Sequence, residues 1–133
     1  MKAIVVILII LVIIIALPFI ILKYSGKEYF TEIYFNDPEN LPKIMETGGK
    51  YDVYFTIISH EKESTTYFYR VDSEIIFEET EIRLSEGIEL LPGENKTIAL
   101  IFTPEDIGEG NVTVSLMNGG KERDIYFFYY IFE

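Results

Sequence analysis

The chain has 133 residues, with 22 Asp and Glu against 11 Lys and Arg, one His and no Cys. A formal net charge of −11 argues against nucleic acid as a partner and against lying flat on anionic lipid. Without cysteine there is neither a disulfide framework nor a thiolate metal site, so packing must hold the fold, and 10 Phe and 10 Tyr supply bulk for it.

Chain order begins with Ala3 to Leu22, a run of 20 apolar residues without a charge or a polar side chain. At 1.5 Å of rise per residue, a helix of that length crosses the roughly 30 Å hydrocarbon core of a bilayer. A cleaved secretory signal is the competing reading. Such signals have an apolar stretch of about 7–15 residues and a small-x-small cleavage site. Here the run is longer, and Leu22 to Lys27 offers no Ala-x-Ala pattern. A buried core helix fits poorly, because the run has no polar face. The expectation is an uncleaved anchor over residues 1–23, with Lys23 and Tyr24 at headgroup depth. Pro18 falls in its last turns, where it removes one backbone donor. No small-x-x-x-small pair marks a helix-pairing face.

Cationic groups flank the run on both sides, so the positive-inside count is nearly a tie. Two observations place the remainder outside. All 22 acidic residues but only nine basic ones follow the anchor, a net charge of −13 on a polar domain behind an N-terminal signal. Asn95-Lys96-Thr97 and Asn111-Val112-Thr113 are N-x-S/T sequons, which make sense on an exported surface and mark Asn95 and Asn111 as candidate glycosylation sites.

About 110 residues then remain, room for one domain over residues 29–133 behind a short linker, 24–28. Tyr29 to Phe35 alternates Thr31, Ile33 and Phe35 against Phe30, Glu32 and Tyr34, and stops at Asn36-Asp37-Pro38-Glu39-Asn40. Gly48-Gly49 precedes a clear strand, Tyr51 to Ser59, with Tyr51, Val53, Phe55 and Ile57 on one face. His60 to Ser64 reads as a hairpin loop, and Thr65 to Val71 as a β-branched and aromatic strand. Glu74 to Leu84 reads as a more charged strand pair or one edge strand, with Glu78, Glu79 and Glu81 resisting pairing with another chain. A turn at Leu91-Pro92-Gly93-Glu94 leads into Lys96 to Phe102. Val112 to Met117 and Asp124 to Phe132 form a last hairpin around Asn118-Gly119-Gly120. About seven short strands in about 100 residues predict an all-β, immunoglobulin-like antiparallel β-sandwich behind one transmembrane helix. An eight-stranded barrel is the alternative. The Cys and Trp core markers of antibody domains are absent, so Tyr, Phe and Ile must pack this one.

Leu91-Pro92-Gly93-Glu94, then Thr97 to Pro104, then Gly110-Asn111-Val112-Thr113-Val114 resembles a PGE…F-x-P…G-x-V-x-V signature of bacterial and archaeal cell-surface Ig-like modules. The order of anchor, Phe-Thr-Glu-Ile-Tyr strand and Val-Tyr-Phe-Thr-Ile-Ile-Ser-His strand is similar to archaeal single-pass membrane proteins carrying a domain of unknown function. The resemblance covers most of residues 28–132. It implies a fold and an extracytoplasmic, adhesion-type location, and it lends no catalytic residue. The abundance of Ile, Lys and Glu fits an archaeal or thermophilic source.

Chemistry is sparse. His60 sits in a charged loop beside Glu61 and Glu63, and one imidazole without a second His or Cys makes a poor transition-metal site. No G-x-S-x-G is present, and His60 is the one available base for a serine nucleophile. Asn36 to Asn40 and Glu105-Asp106 lack the alternating ladder of a calcium loop, and the first is more simply a β-turn with Pro at its second position. The expectation is no catalytic residue, no metal and no cofactor. Ile125 to Phe132 (IYFFYYIF) is apolar or aromatic on both faces, where a strand with one wet face should alternate. Its Tyr126, Phe128, Tyr130 and Phe132 are either the covered face of a central strand or a docking surface.

The functional expectation is a non-enzymatic, membrane-anchored interaction module. It is tethered by lipid contact of its helix and faces a membrane or cell-envelope protein, with its C-terminal domain outside the cell membrane. The alternative is a structural subunit of a surface filament or stator, pilin- or archaellum-like.

Overall fold

The computed structural model describes residues 1–24, 26, 28–73 and 85–133, with the side chains of 22–24 left aside. The charged strand expected over Glu74 to Leu84, and the Lys23 and Tyr24 side chains expected at headgroup depth, lie outside those described. Helix α1 runs Lys2–Tyr24 with Pro18 inside it. Lys2–Ile21 is long and apolar enough to cross a membrane, and none of it is buried by the rest of the chain. A secretory signal has the same character.

Among the described residues eight strands follow: β1 (Thr31–Phe35), β2 (Ile44–Glu46), β3 (Tyr51–Ser59), β4 (Thr65–Asp72), β5 (Ile88–Leu90), β6 (Asn95–Phe102), β7 (Gly108–Asn118) and β8 (Lys121–Phe132). They form two open sheets, ordered β1-β3-β6 and β2-β8-β7-β4-β5, so the strands make a sandwich and not a closed barrel. Among the described residues the pairings are antiparallel except one: β2 lies parallel to β8, with Ile44 beside Tyr130 and Glu46 beside Phe132.

Alternation explains the core. Val53, Phe55 and Ile57 of β3 point inward with 2% exposure or less, and they meet Val112, Val114 and Leu116 of β7 in one buried cluster. Phe127, Tyr129 and Ile131 of β8 enter the same cluster. Edge-to-face contacts of Phe35 on Phe127 (centroids 5.5 Å apart) and Phe55 on Tyr69 (5.3 Å) bridge the two sheets. Rings thus fill the space that a disulfide and a Trp fill in antibody domains.

The turns follow their residues. Gly119 and Gly120 take φ of +51° and +82°, which suits the two-residue connection between β7 and β8. Gly93 is also left-handed (φ +84°), and the turn closes by Glu94 N–H donating to the Leu91 carbonyl at 3.0 Å. Pro38–Asn40 is one 3₁₀ turn with Pro at its start, and Asn40 N–H donates to the Asp37 carbonyl at 3.2 Å.

His60 to Ser64 is not a hairpin loop. It carries the chain from β3 in one sheet to β4 in the other. Both edges of β3 are taken, by β1 and β6, so β4 pairs in the other sheet. Fully buried, Tyr67 of β4 aims its hydroxyl across the sandwich at Thr31 Oγ1 (2.8 Å) and Ser59 Oγ (3.1 Å). Thr31 Oγ1 also donates to Glu61 Oε1 at 2.8 Å, and Arg123 Nη1 of β8 donates to the Thr31 carbonyl. These bonds pin the first residue of β1, where the chain enters the sandwich, to both sheets.

Candidate interaction surface

β8 owes its exposed face to strict alternation. Phe127, Tyr129 and Ile131 are 4–5% exposed, whereas Tyr126, Phe128, Tyr130 and Phe132 are 60, 66, 55 and 42% exposed. The side chains flagged by the sequence therefore share the outer face of the larger sheet. Tyr126 and Phe128 meet edge to face, with centroids 5.6 Å apart. Directly opposite residues of paired strands share a face. On the β7 side Thr113, Asn111 and Glu109 stand opposite Tyr126, Phe128 and Tyr130. On the β2 side the exposed Ile44 stands beside Tyr130, and Glu46 beside Phe132. At about 200 Å² per ring, the four aromatics leave roughly 450 Å² accessible, against about 800 Å² per partner in a standard interface.

The same face changes character along its length. Toward the start of β8 it carries Glu122 and Asp124, and β4 contributes Arg70 and Asp72. Arg70 Nε donates to Asp72 Oδ2 at 2.8 Å, and its guanidinium lies 3.8 Å from Glu122. The hydrogen bond to Asp72 and its charge push the Arg70 pKa further up. Because Arg123 reaches Thr31, this charged half lies at the end where the chain enters the domain. At about 3.3 Å per residue, Tyr126 stands roughly 17 Å and Phe132 roughly 36 Å along β8 from Lys121. The aromatic half is the remote half.

The other flagged residues sit apart from this surface or at its margin. Asn95 opens β6 in the smaller sheet, whereas Asn111 lies on the aromatic face itself, and both are exposed. A shallow hollow of about 540 Å³ lies beside Asn111, lined also by Glu109, Gly110, Phe128 and Tyr129. His60 is less free than the loop reading implied. Its ring stacks on Phe30 at 4.6 Å, and Nε2 lies 3.5 Å from Glu32 Oε1, a neighbour brought by β1 and not by its own loop. Among the described residues no three or more Asp, Glu, His or Cys side chains gather as a metal-holding group. Sequence reading missed Ile44 as part of the surface. Its strand has three residues, too short to show alternation.

No family model matches the chain, and no curated protein does. Solved structures do. The native conformation of Escherichia coli alpha-2-macroglobulin aligns with a TM-score of 0.56 at 12% identity, over 80% of this chain and 7% of that one. Salmonella alpha-2-macroglobulin reacted with methylamine gives 0.55 at 12% identity, over 77% and 7%. This chain thus spans about 7% of the macroglobulin chains it matches. The CARDB domain of a Pyrococcus furiosus protein, solved with di-metal ions, gives 0.53 at 13% identity, over 82% of this chain and 91% of that domain. At such identities the likeness speaks for fold alone: residues from β1 onward form an immunoglobulin-like β-sandwich, preceded by an apolar helix.

Proposed function

We propose that this chain is a membrane-anchored, extracytoplasmic contact module without catalytic function, which docks a membrane or cell-envelope protein through the outer face of β8. One observation carries the reading. An otherwise well-packed sandwich leaves four aromatic rings of one strand open, and the neighbouring Ile44 adds to them. The largest apolar patch on a small domain is often its contact site. The gradient along the sheet supports a protein partner over the lipid surface, because the charged half lies at the anchored end and the rings at the far end. The leash between α1 and β1 supports a membrane-bound partner: residues 25–30 reach at most roughly 20 Å, so the domain stays close to the bilayer.

The test is a photo-crosslinking residue at position 130 in the full chain, activated in native membranes. The reading expects adducts with a second membrane or envelope protein. Tyr130→Ser removes roughly 110 Å² of apolar contact, about 3 kcal/mol or 100-fold in affinity if fully buried. That substitution should leave the unfolding midpoint within experimental scatter, since Tyr130 is exposed and stands outside the buried cluster. Adducts confined to lipid, or to a second copy of the chain, would refute the docking reading.

A further inference from the structure

The two sequons differ in what surrounds them. At the first, the Thr97 hydroxyl is tied to Thr56 Oγ1 at 2.8 Å, and Thr56 in turn donates to Asn36 Oδ1 at 2.6 Å. At the second, Asn111 Nδ2 lies 3.4 Å from Thr113 Oγ1, so the acceptor amide and the sequon hydroxyl contact each other on an exposed strand face. Asn111 is also directly opposite Phe128, and Thr113 opposite Tyr126. Among the described residues the β4–β7 ladder runs to the Asp72–Thr113 pair. The hollow of about 540 Å³ is lined by Asn111 and Phe128 together.

We propose that Asn111 carries an N-linked glycan whose first sugars rest on the ring of Phe128. The inference builds on the extracytoplasmic placement in the preceding reading. Directly opposite residues have Cβ atoms about 4.5–5.5 Å apart, so a pyranose on Asn111 Nδ2 reaches the neighbouring ring without bending the strand. A pyranose face made of C–H groups suits the electron-rich face of Phe. The hydroxyls then turn toward Glu109 and water. The glycan rests over Phe128 alone, and the docking face keeps its Tyr126, Tyr130 and Phe132 rings with Ile44 beside them.

The modification needs a sugar donor with a phosphate leaving group and its membrane transferase. The Asn111 amide nitrogen attacks the anomeric carbon, and the new N–C bond replaces the bond from that carbon to the phosphate oxygen. The phosphate departs with the electron pair, one amide proton goes to a base of the transferase, and nothing is oxidised or reduced.

The experiment uses the full chain purified from its native membranes. Mass spectrometry of the peptide spanning Asn111 reads the modification. Thermal midpoints of the wild type, N111Q, F128A and the double variant read the seat on the ring. A glycan on Asn111 is expected. N111Q should lower the midpoint by about 4 °C in the wild-type background and by no more than about 1 °C with F128A, the shift of one lost aromatic contact in a domain of this size. An unmodified Asn111, or equal shifts in both backgrounds, overturns the proposal. Protease added to intact cells separates the two readings. An unmodified Asn111 in a domain cut from outside sinks the glycan alone, and one in a protected domain sinks the extracytoplasmic placement as well.

Discussion

Tyr67→Phe probes the point where the sandwich grips its own first strand. The Tyr67 ring is fully buried, and its hydroxyl shares bonds with Thr31 Oγ1 at 2.8 Å and Ser59 Oγ at 3.1 Å, both on buried residues. Phenylalanine fills the same space, so no cavity forms and the effect isolates the hydroxyl. Thr31 keeps its bond to Glu61, whereas Ser59 loses the one from Tyr67. A lost neutral bond contributes about 1 kcal/mol, and leaving a buried hydroxyl unpaired costs about 1–3 kcal/mol. The expected destabilisation is about 2–3 kcal/mol, or a midpoint lowered by roughly 10–15 °C in a domain of about 100 residues. Urea unfolding of the full chain in detergent measures it, with an unchanged m-value showing that the exposed surface is the same. Tyr126→Phe is the control, since its exposed hydroxyl should contribute nothing measurable. A loss below about 0.5 kcal/mol for Tyr67→Phe, or an equal loss for the control, would refute the clamp.

Two further outcomes follow from the same packing. Burial raises the Tyr69 pKa above its ordinary value of 10.0, so the unfolded chain gives up that proton first. Stability is then full below pH 10 and declines as pH rises through and beyond it; the urea midpoint followed between pH 7 and about pH 11 should fall less steeply in Tyr69→Phe. At Gly110 an added Cβ would lie 2.6 Å from the Tyr129 hydroxyl and 2.9 Å from its ring carbon, and Tyr129 is only 5% exposed. Gly110→Ala should therefore cost about 1–3 kcal/mol by overpacking, read as a lower thermal midpoint. An unchanged midpoint would mean that the Tyr129 ring shifts freely.

Much of this architecture was legible in the sequence, for physical reasons. The long strands declared themselves because period-two alternation needs five or more residues to stand out, as in Tyr51 to Ser59 and Asp124 to Phe132. Turn residues fixed the Asn118 to Gly120 connection. The three-residue strands β2 and β5 were invisible on the same ground. The sheet crossing at His60 to Ser64 was misread as a hairpin because a charged loop of five residues fits either connection. What separates them is the pairing of β3 with β1 on one edge and β6 on the other, which joins residues distant in sequence. The aromatic surface was half legible. A two-faced apolar strand announced something unusual in β8, yet only the arrangement of neighbours distinguishes rings covered by long side chains from rings left open. Ile44 reaches that surface through a parallel pairing that no local pattern encodes.

That parallel pairing has a bearing on how the protein survives its own synthesis. Without β2, the IYFFYYIF segment would be an unpaired border of the larger sheet, and apolar segments of high β-propensity with free backbone groups nucleate cross-β aggregates. Three residues, Ile44 to Glu46, occupy those backbone groups along its last three residues, Tyr130 to Phe132. Glu46 places a carboxylate beside Phe132, and its N–H is itself capped by the Tyr51 hydroxyl at 2.8 Å. This three-residue strand thus serves as a stopper, closing the free backbone edge of the most aromatic strand against a second copy while the outer face of its rings stays uncovered by β2.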